Sequence, residues 1–70
     1  MKPMTEEILQ LLQARDRGIT ALDALREVGC MRLAARIWEL KQEGLPITRK
    51  IEATPNGRLI ARYLLERADW

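Results

Sequence analysis

Two arginines lie four residues apart in the run MRLAARIWELKQEG, residues 31–44. Four residues are close to one helical turn, so Arg32 and Arg36 would share one side of a helix. An arginine in such a position can grip the O6 and N7 atoms of a guanine or hold a phosphate. The alternative is an ordinary solvated helix surface on which both arginines pair with Glu39 and Glu43. Spacing alone does not decide between these two chemistries.

A second group of cations surrounds the dipeptide Asn56-Gly57. Residues 49–62 carry a net charge of +3, from Arg49, Lys50, Arg58 and Arg62 against Glu52. Residues 1–28 hold four cations and five carboxylates, a net charge of −1. Positive charge is therefore concentrated in one part of the chain, which favours a polyanionic partner.

The tip formed by Asn56 and Arg58, flanked by Lys50 and Arg62, suits contact with a nucleic acid. Such a tip commonly lies along the sugar-phosphate backbone or in the minor groove, where the negative potential favours arginine. The alternative is a hairpin edge whose charges prevent pairing with another chain. The sequence supports both interpretations equally.

Several classes of function are disfavoured by composition. The chain has no histidine and one cysteine, Cys30, so common zinc patterns, an internal disulfide and a Cys–His or Ser–His pair are excluded. Asp16, Asp23 and Glu27 lack the spacing of a metal site or an acid–base pair. We therefore predict neither an enzyme nor a cofactor. The lone thiol and the lack of a signal-like or long apolar segment favour the cytoplasm and no membrane contact.

The elements that position these residues begin with two helices. Thr5 predicts the N-cap of a first helix that ends near Gly18, with Ile8, Leu11 and Leu12 as its apolar stripe. Ile19 is expected to be a short extended link. Thr20 and Asp23 then form a capping-box-like pair that starts a second helix, which ends at Gly29. Its predicted buried side chains are Leu22, Leu25 and Val28.

A third helix is predicted over residues 31–43, after a sharp turn at Gly29. Leu33, Ile37 and Leu40 form its buried stripe, and Trp38 is predicted to belong to the core. If Gly29 is the turn glycine, the general helix-turn-helix pattern places Ala35, together with Trp38, at positions that are usually apolar and inward. The buried stripe instead makes Leu33 and Ile37 more buried than Ala35, and we prefer the stripe because its side chains are larger. Met31 and Ala35 would then contact a thymine methyl group or pack internally.

The last part of the chain predicts a β-hairpin. PITRKIEA alternates with a period of two residues, Asn56-Gly57 is a strong hairpin signal, and RLIARYLL returns as the second strand. Leu59, Ala61, Tyr63 and Leu65 share a face; if that face is buried, Arg58, Arg62 and Lys50 point to solvent. Three helices closed by a hairpin predict a mainly helical α+β fold of the winged helix-turn-helix type.

The chain also resembles a known family. ITALDALREVGCMRLAARIWELKQEGLPI followed by TPNGRLIARYLL, residues 19–65, is similar to small winged helix-turn-helix domains of bacteriophage and prophage proteins. RLAARI followed by PNG carries most of the likeness. The resemblance implies that helix 31–43 enters the major groove through Arg32, Arg36, Met31 and Ala35, with the 54–58 wing on the backbone or in the minor groove.

The predicted function is double-stranded DNA binding by one domain, residues 1–70, whose last five residues form a loose tail. The role would be that of a phage or prophage transcriptional regulator or an excisionase-like recombination factor in the bacterial cytoplasm. Its small size favours binding as a dimer or in adjacent copies, for which Met31, Leu64 and Trp70 are candidate contacts. The alternative is a protein-binding winged helix that inhibits or modulates a host complex.

Overall fold

A computed structural model describes residues 2–66 of the 70-residue chain. Its elements, in chain order, are α1 (Pro3–Ala14), β1 (Ile19–Thr20), α2 (Ala21–Val28), α3 (Leu33–Gln42), β2 (Ile47–Ala53) and β3 (Leu59–Leu65). The three strands form an antiparallel sheet in the order β1-β3-β2. Three helices and this sheet confirm the predicted fold class.

Helix α1 begins three residues earlier than predicted. Lys2 is its N-cap residue and Pro3 occupies the first turn, where a missing N–H costs no hydrogen bond. Thr5 is therefore not the cap, and its buried hydroxyl instead contacts α3. The predicted stripe is present, because Ile8 and Leu12 are fully buried.

The predicted extended link at Ile19 is a strand of the sheet. Ile19 pairs with Tyr63 and Thr20 with Arg62, so β1 lies along the middle strand β3. Helix α1 already ends at Ala14, and Gly18, placed by the sequence at the helix end, lies at the entrance to β1. Its φ of +80° is a conformation that favours glycine.

Helix α2 starts and stops where the sequence predicts. The Thr20 hydroxyl accepts a hydrogen bond from the Asp23 amide at 3.2 Å, and the Asp23 carboxylate accepts one from the Thr20 amide at 3.0 Å. Gly29 ends the helix in the left-handed conformation, with φ of +70°. These local hydrogen bonds determine the helix ends without help from the rest of the fold.

The inward side of α2 differs from the prediction. Ala24 is fully buried, Val28 is half-buried, and Leu22 and Leu25 are exposed. Ala24 and Val28 are one turn apart and face the core together. The small Ala24 side chain permits close packing there, which leaves the two leucines on the outside of the helix.

Residues 29–32 connect α2 to α3, which spans Leu33–Gln42 and is shorter than predicted. Leu33, Ile37 and Leu40 are buried, as the stripe indicates. The prediction that Trp38 belongs to the core is wrong, because 62% of its surface is exposed. Trp38 is one residue away from the stripe position at Ile37, and 100° of helical rotation turns it outward.

The hairpin has the predicted strands and an in-register pairing from Ile47 with Leu65 to Ala53 with Leu59. Tyr63 and Leu65 pack against the core at its base, whereas Leu59, on the same face, is 73% exposed. The shared face is thus covered by helices only near the base. The distal half extends beyond them.

Within residues 2–66 the core is formed by nine buried apolar residues drawn from the helices, β1, the turn after α2 and β2: Ile8, Leu12, Ile19, Ala24, Cys30, Leu33, Ile37, Leu40 and Ile47.

None of the helices in residues 2–66 combines the length and hydrophobicity that a bilayer crossing requires. Glu66, predicted to belong to a loose tail, donates its amide to the Pro46 carbonyl at 2.7 Å. The remaining predicted tail residues, with Trp70, lie outside the described part of the chain.

Candidate nucleic-acid interface

The outer side of α3 carries Ala34, Trp38 and Lys41, spaced like the buried stripe but shifted by one residue. All three are exposed. Gln42 is exposed beside them, and Ala35 is half-buried at the edge. Lys41 is the charged residue among these five, whereas Glu39 and Glu43 line a hollow with Trp38 and Gln42 on the side toward α1. An anionic partner therefore meets positive charge on the Lys41 side of Trp38.

Strand β2 adds a second cation to this side. Arg49 lies on the sheet face that bears Ile47 and is paired in register with Tyr63. It lines a hollow of about 310 Å³ together with Ala34, Ile37, Trp38, Lys41 and Tyr63. The hollow joins the outer side of α3 to the hairpin, so helix and hairpin form one continuous surface.

The acidic side of α3 faces α1. Glu39 accepts a hydrogen bond from the Thr5 hydroxyl at 2.7 Å and lies 3.3 Å from the Lys2 ammonium group. Its Oε1 atom is also 2.9 Å from Nε of Arg36. The negative charge of Glu39 is therefore compensated by two nearby cations, Lys2 and Arg36.

Arg36 forms the pair with Glu39 that the sequence offered as the alternative to DNA contact, and its side chain does not project freely outward. Its side chain is only 22% exposed, and Nε is buried beside Glu39. The Nε–H bond does not point at the nearby oxygen, so the contact is electrostatic and not a hydrogen bond. Residue 36 lies on the flank of α3 toward α1, whereas the sequence pattern placed it in the DNA-facing set.

The Thr5 hydrogen bond is the main reason that the pKa of Glu39 lies below its ordinary value. The hydrogen bond from Lys2 and the positive charges of Arg36 and Lys2 lower it further, and desolvation opposes them. The folded state thus favours the ionised carboxylate. The resulting stabilisation is fully present above the pKa of the unfolded chain and is lost as pH falls through the lower folded-state pKa.

We predict that Glu39→Gln lowers the free energy of unfolding at pH 7. This deficit relative to the wild type should shrink as pH falls below about 4.3, where a glutamate in the unfolded chain takes up its proton. Urea unfolding followed by circular dichroism between pH 7 and pH 3 measures this. Glu7→Gln is the matched control, since Glu7 is exposed and forms no ion pair within residues 2–66. A deficit that stays constant down to pH 3 would contradict the assignment.

Met31 and Arg32 lie just before α3, on the turn. Arg32 is the N-cap residue and is exposed, without a side-chain hydrogen bond to the first turn of the helix. Met31 is 86% exposed, so internal packing, one of its two sequence-based interpretations, is excluded. Both side chains are available to a partner approaching the start of α3.

At the hairpin tip, Asn56 and Arg58 are exposed as predicted. The Thr54 amide donates to the Arg58 carbonyl at 2.7 Å, and the Arg58 amide donates to the Thr54 hydroxyl at 3.1 Å, which closes the turn. The Arg58 side chain itself forms no ion pair within the described residues.

Lys50 and Arg62 are paired in register and lie on the opposite face of the hairpin from Arg49. Nε of Arg62 donates to Glu52 at 2.9 Å and is partly buried, whereas Lys50 is exposed. The predicted outward direction is thus correct for Lys50. For Arg62, the charge is already compensated by a neighbour on the same face.

A model of the winged helix-turn-helix domain family matches residues 4–68 of the chain. The chain belongs to this family. No curated protein and no solved structure matches it significantly. Helices α2 and α3 are the helix-turn-helix, α3 is the recognition helix, and the hairpin 47–65 is the wing. Domains of this kind are typically non-enzymatic and DNA-binding.

The exposed side chains of α3 and the adjoining strand include three that were not predicted from the sequence as DNA contacts: Trp38, Lys41 and Arg49. Trp38 was assigned to the core, and Arg49 was counted only among the cations of the hairpin. The signal was present in the sequence: residues 34, 38 and 41 repeat the spacing of the buried stripe one position later. They therefore face outward when Leu33, Ile37 and Leu40 face inward.

An apolar groove of about 650 Å³ lies between the start of α2, the start of the recognition helix and the wing. Leu22, Met31 and Leu59 are exposed on its walls, and Arg32 is its one charged lining residue. Strand β1 covers β3 only at Arg62 and Tyr63, so the stretch from Leu59 to Ala61 has no neighbouring strand on the groove side.

Proposed function

We propose that this winged helix-turn-helix protein binds double-stranded DNA, with the recognition helix in the major groove and the wing tip on the backbone or in the minor groove. The observation that carries the proposal is the segregation of charge on α3. Its acidic residue Glu39 is paired with Lys2 and Arg36, whereas Arg32, Lys41 and Arg49 are exposed, and the hollow that joins α3 to the hairpin is lined by Lys41 and Arg49 without a carboxylate. That arrangement complements a phosphate backbone.

Within this proposal the exposed cations contact phosphates. Arg32 acts at the start of the recognition helix, where the first-turn amides lack a side-chain cap and can donate to the same phosphate. Lys41 acts in the last turn of the recognition helix, Arg49 acts on the adjoining strand β2, and Arg58 acts at the wing tip beside Asn56. Lys50 adds positive charge to the wing.

The other predicted site residues have different parts in the proposal. Met31 and Ala35 face the bases at the start of the recognition helix. Arg36 supports binding through its contact with Glu39, and Arg62 through its pair with Glu52. Direct DNA contact by either arginine requires it to leave its carboxylate.

The biological role that we propose is transcriptional regulation or excisionase-like DNA organisation in a phage or prophage, inside the bacterial host cell. The resemblance of RLAARI and PNG to such domains supports it. A surface built from one short helix and one wing covers few base pairs, so the protein would act as a dimer or in adjacent copies. We propose that residues 1–70 act as one domain.

A second candidate function is binding of a host protein. The apolar groove beside Met31 favours it, because an extended apolar segment could pair with the open edge of β3 at Leu59–Ala61 and cover Leu22 and Leu59. Such a contact would have weak salt dependence, since the groove contains only the charge of Arg32.

A fluorescence anisotropy titration of a labelled 20-base-pair duplex at 50 mM and 200 mM salt tests the proposal. About four phosphate contacts, from Arg32, Lys41, Arg49 and Arg58, predict an affinity loss of roughly 100-fold between these concentrations. Circular dichroism confirms that the protein is folded at both concentrations. Absence of salt-dependent binding by folded protein would refute the DNA proposal and favour the host-protein function.

A further inference from the structure

We infer that the recognition helix recognises thymine methyl groups, with Trp38 as the principal contact. The target class is then a duplex whose major groove presents neighbouring thymines. This inference rests on the proposed DNA binding and specifies the chemistry by which the same surface distinguishes sequences. It places specificity in apolar contact and not in arginine–guanine hydrogen bonds.

The first observation is the composition of the outer side of α3. Its first two turns present Ala34, Ala35 and Trp38, of which Trp38 is 62% exposed. None of these has a hydrogen-bonding side-chain group except the indole N–H. In the major groove, the thymine methyl is the apolar feature that such side chains can contact.

The second observation is the shape of this surface. Trp38 lines two hollows, one shared with Glu39 and Gln42 and the other with Lys41 and Arg49. The indole therefore stands as a ridge between them. The alanines at 34 and 35 leave the helix backbone free to approach the bases, which brings this ridge to the depth of the methyl groups.

The third observation concerns the arginines that could read guanine instead. Arg36 is held against Glu39 with 22% of its side chain exposed. Arg32 is at the N-cap, before the first helical turn, and Arg49 lies on the wing. Arg32, Lys41 and Arg49 thus place positive charge at the start of α3 and on its wing side, whereas Glu39 and Glu43 lie on the other side of Trp38. The cations complement phosphates along the edge of the groove. A duplex satisfies both parts of this surface, whereas an apolar protein surface would leave the cations without partners.

The test uses full-length protein and a 20-base-pair duplex library with a randomised centre. Duplexes enriched by the protein are resynthesised with thymine or with uracil, which pairs identically and lacks the methyl group. We expect enrichment of neighbouring thymines and a loss of about fourfold in affinity for each contacted methyl removed. The salt dependence of binding should be unchanged by the replacement, because no phosphate contact is altered.

Two variants identify the residue responsible. Trp38→Ala should bind the thymine and uracil duplexes with equal affinity. Leu25→Ala is the matched control, because Leu25 is an exposed apolar residue on α2, outside the hollows around Trp38. It should keep the full difference between the two duplexes. Circular dichroism checks that both variants fold.

The outcomes separate this inference from the function on which it rests. Salt-dependent binding without enrichment, or with equal affinity for thymine and uracil, overturns the inference and leaves DNA binding intact. A thymine preference that persists in Trp38→Ala overturns the assignment to Trp38. Failure of folded protein to bind any duplex overturns both proposals and favours the host-protein function at the apolar groove beside Met31.

Discussion

Replacing Lys41 and Arg49 together by glutamine is expected to weaken DNA binding roughly 30-fold. Both cations border the hollow beside Trp38, and neither is paired with a carboxylate in the described chain. Loss of about 1 kcal/mol for each phosphate contact corresponds to this factor. The slope of log affinity against log salt should also fall by about 2, one for each contact removed. Anisotropy titrations over a series of salt concentrations measure both quantities.

The control for this double variant is Arg15→Gln with Arg17→Gln. It changes the net charge equally but acts in the turn between α1 and β1, where Arg15 pairs with Glu27 on α2. Its affinity and salt slope should remain close to those of the wild type. Equal weakening by both double variants would show that net charge matters and that the surface around Trp38 has no special role.

Gly18→Ala is expected to lower the free energy of unfolding by about 2–4 kcal/mol. This is the combined cost of a non-glycine residue in a left-handed conformation and of overpacking. Gly18 has a φ of +80°. A Cβ atom there would overlap the carbonyl oxygen of Tyr63 and lie 2.8 Å from Cγ of Leu64. Because Tyr63 is backbone-paired with Ile19, the overlap would displace β1 from the sheet. Thermal and urea unfolding followed by circular dichroism measure the loss.

Gly57→Ala separates the two causes of this effect. Gly57 has a φ of +81°, almost the same as that of Gly18, but a Cβ atom there would have no neighbour within 4 Å. Its substitution should therefore cost only the backbone strain, about 1–2 kcal/mol. If the two variants lose equal stability, the close approach of Gly18 to β3 has no energetic consequence and the packing argument is wrong.

The features that the sequence determined are those whose causes lie within a few residues. Thr20 and Asp23 cap α2 with each other, and Gly29 ends it through its own backbone conformation. Leu33 and Ile37 share one side of α3 because helical geometry alone places them there. Alternation in both strands, with Asn56-Gly57 between them, was likewise sufficient to predict the hairpin.

Other features depended on contacts between distant parts of the chain. Ile19 is a strand residue only because Tyr63 offers it a backbone partner, and Thr5 is buried only because Glu39 accepts its hydrogen bond. The partners of Ile19 and Thr5 are not encoded by a local pattern, because they come from segments more than 30 residues away. Arg36, by contrast, pairs with Glu39 three residues along the same helix, the pairing that the sequence offered as the alternative to DNA contact.

The surface that we propose to contact DNA combines both kinds of information. The sequence by itself determined that a helix follows Gly29 and that a basic hairpin follows the helix. Tertiary packing selected which residues of the helix face outward: Trp38 and Lys41 are exposed, and Arg36 is partly buried beside Glu39. The physical reason is that helix periodicity specifies relative directions around the axis, whereas packing against α1 and the sheet selects the direction that is inward.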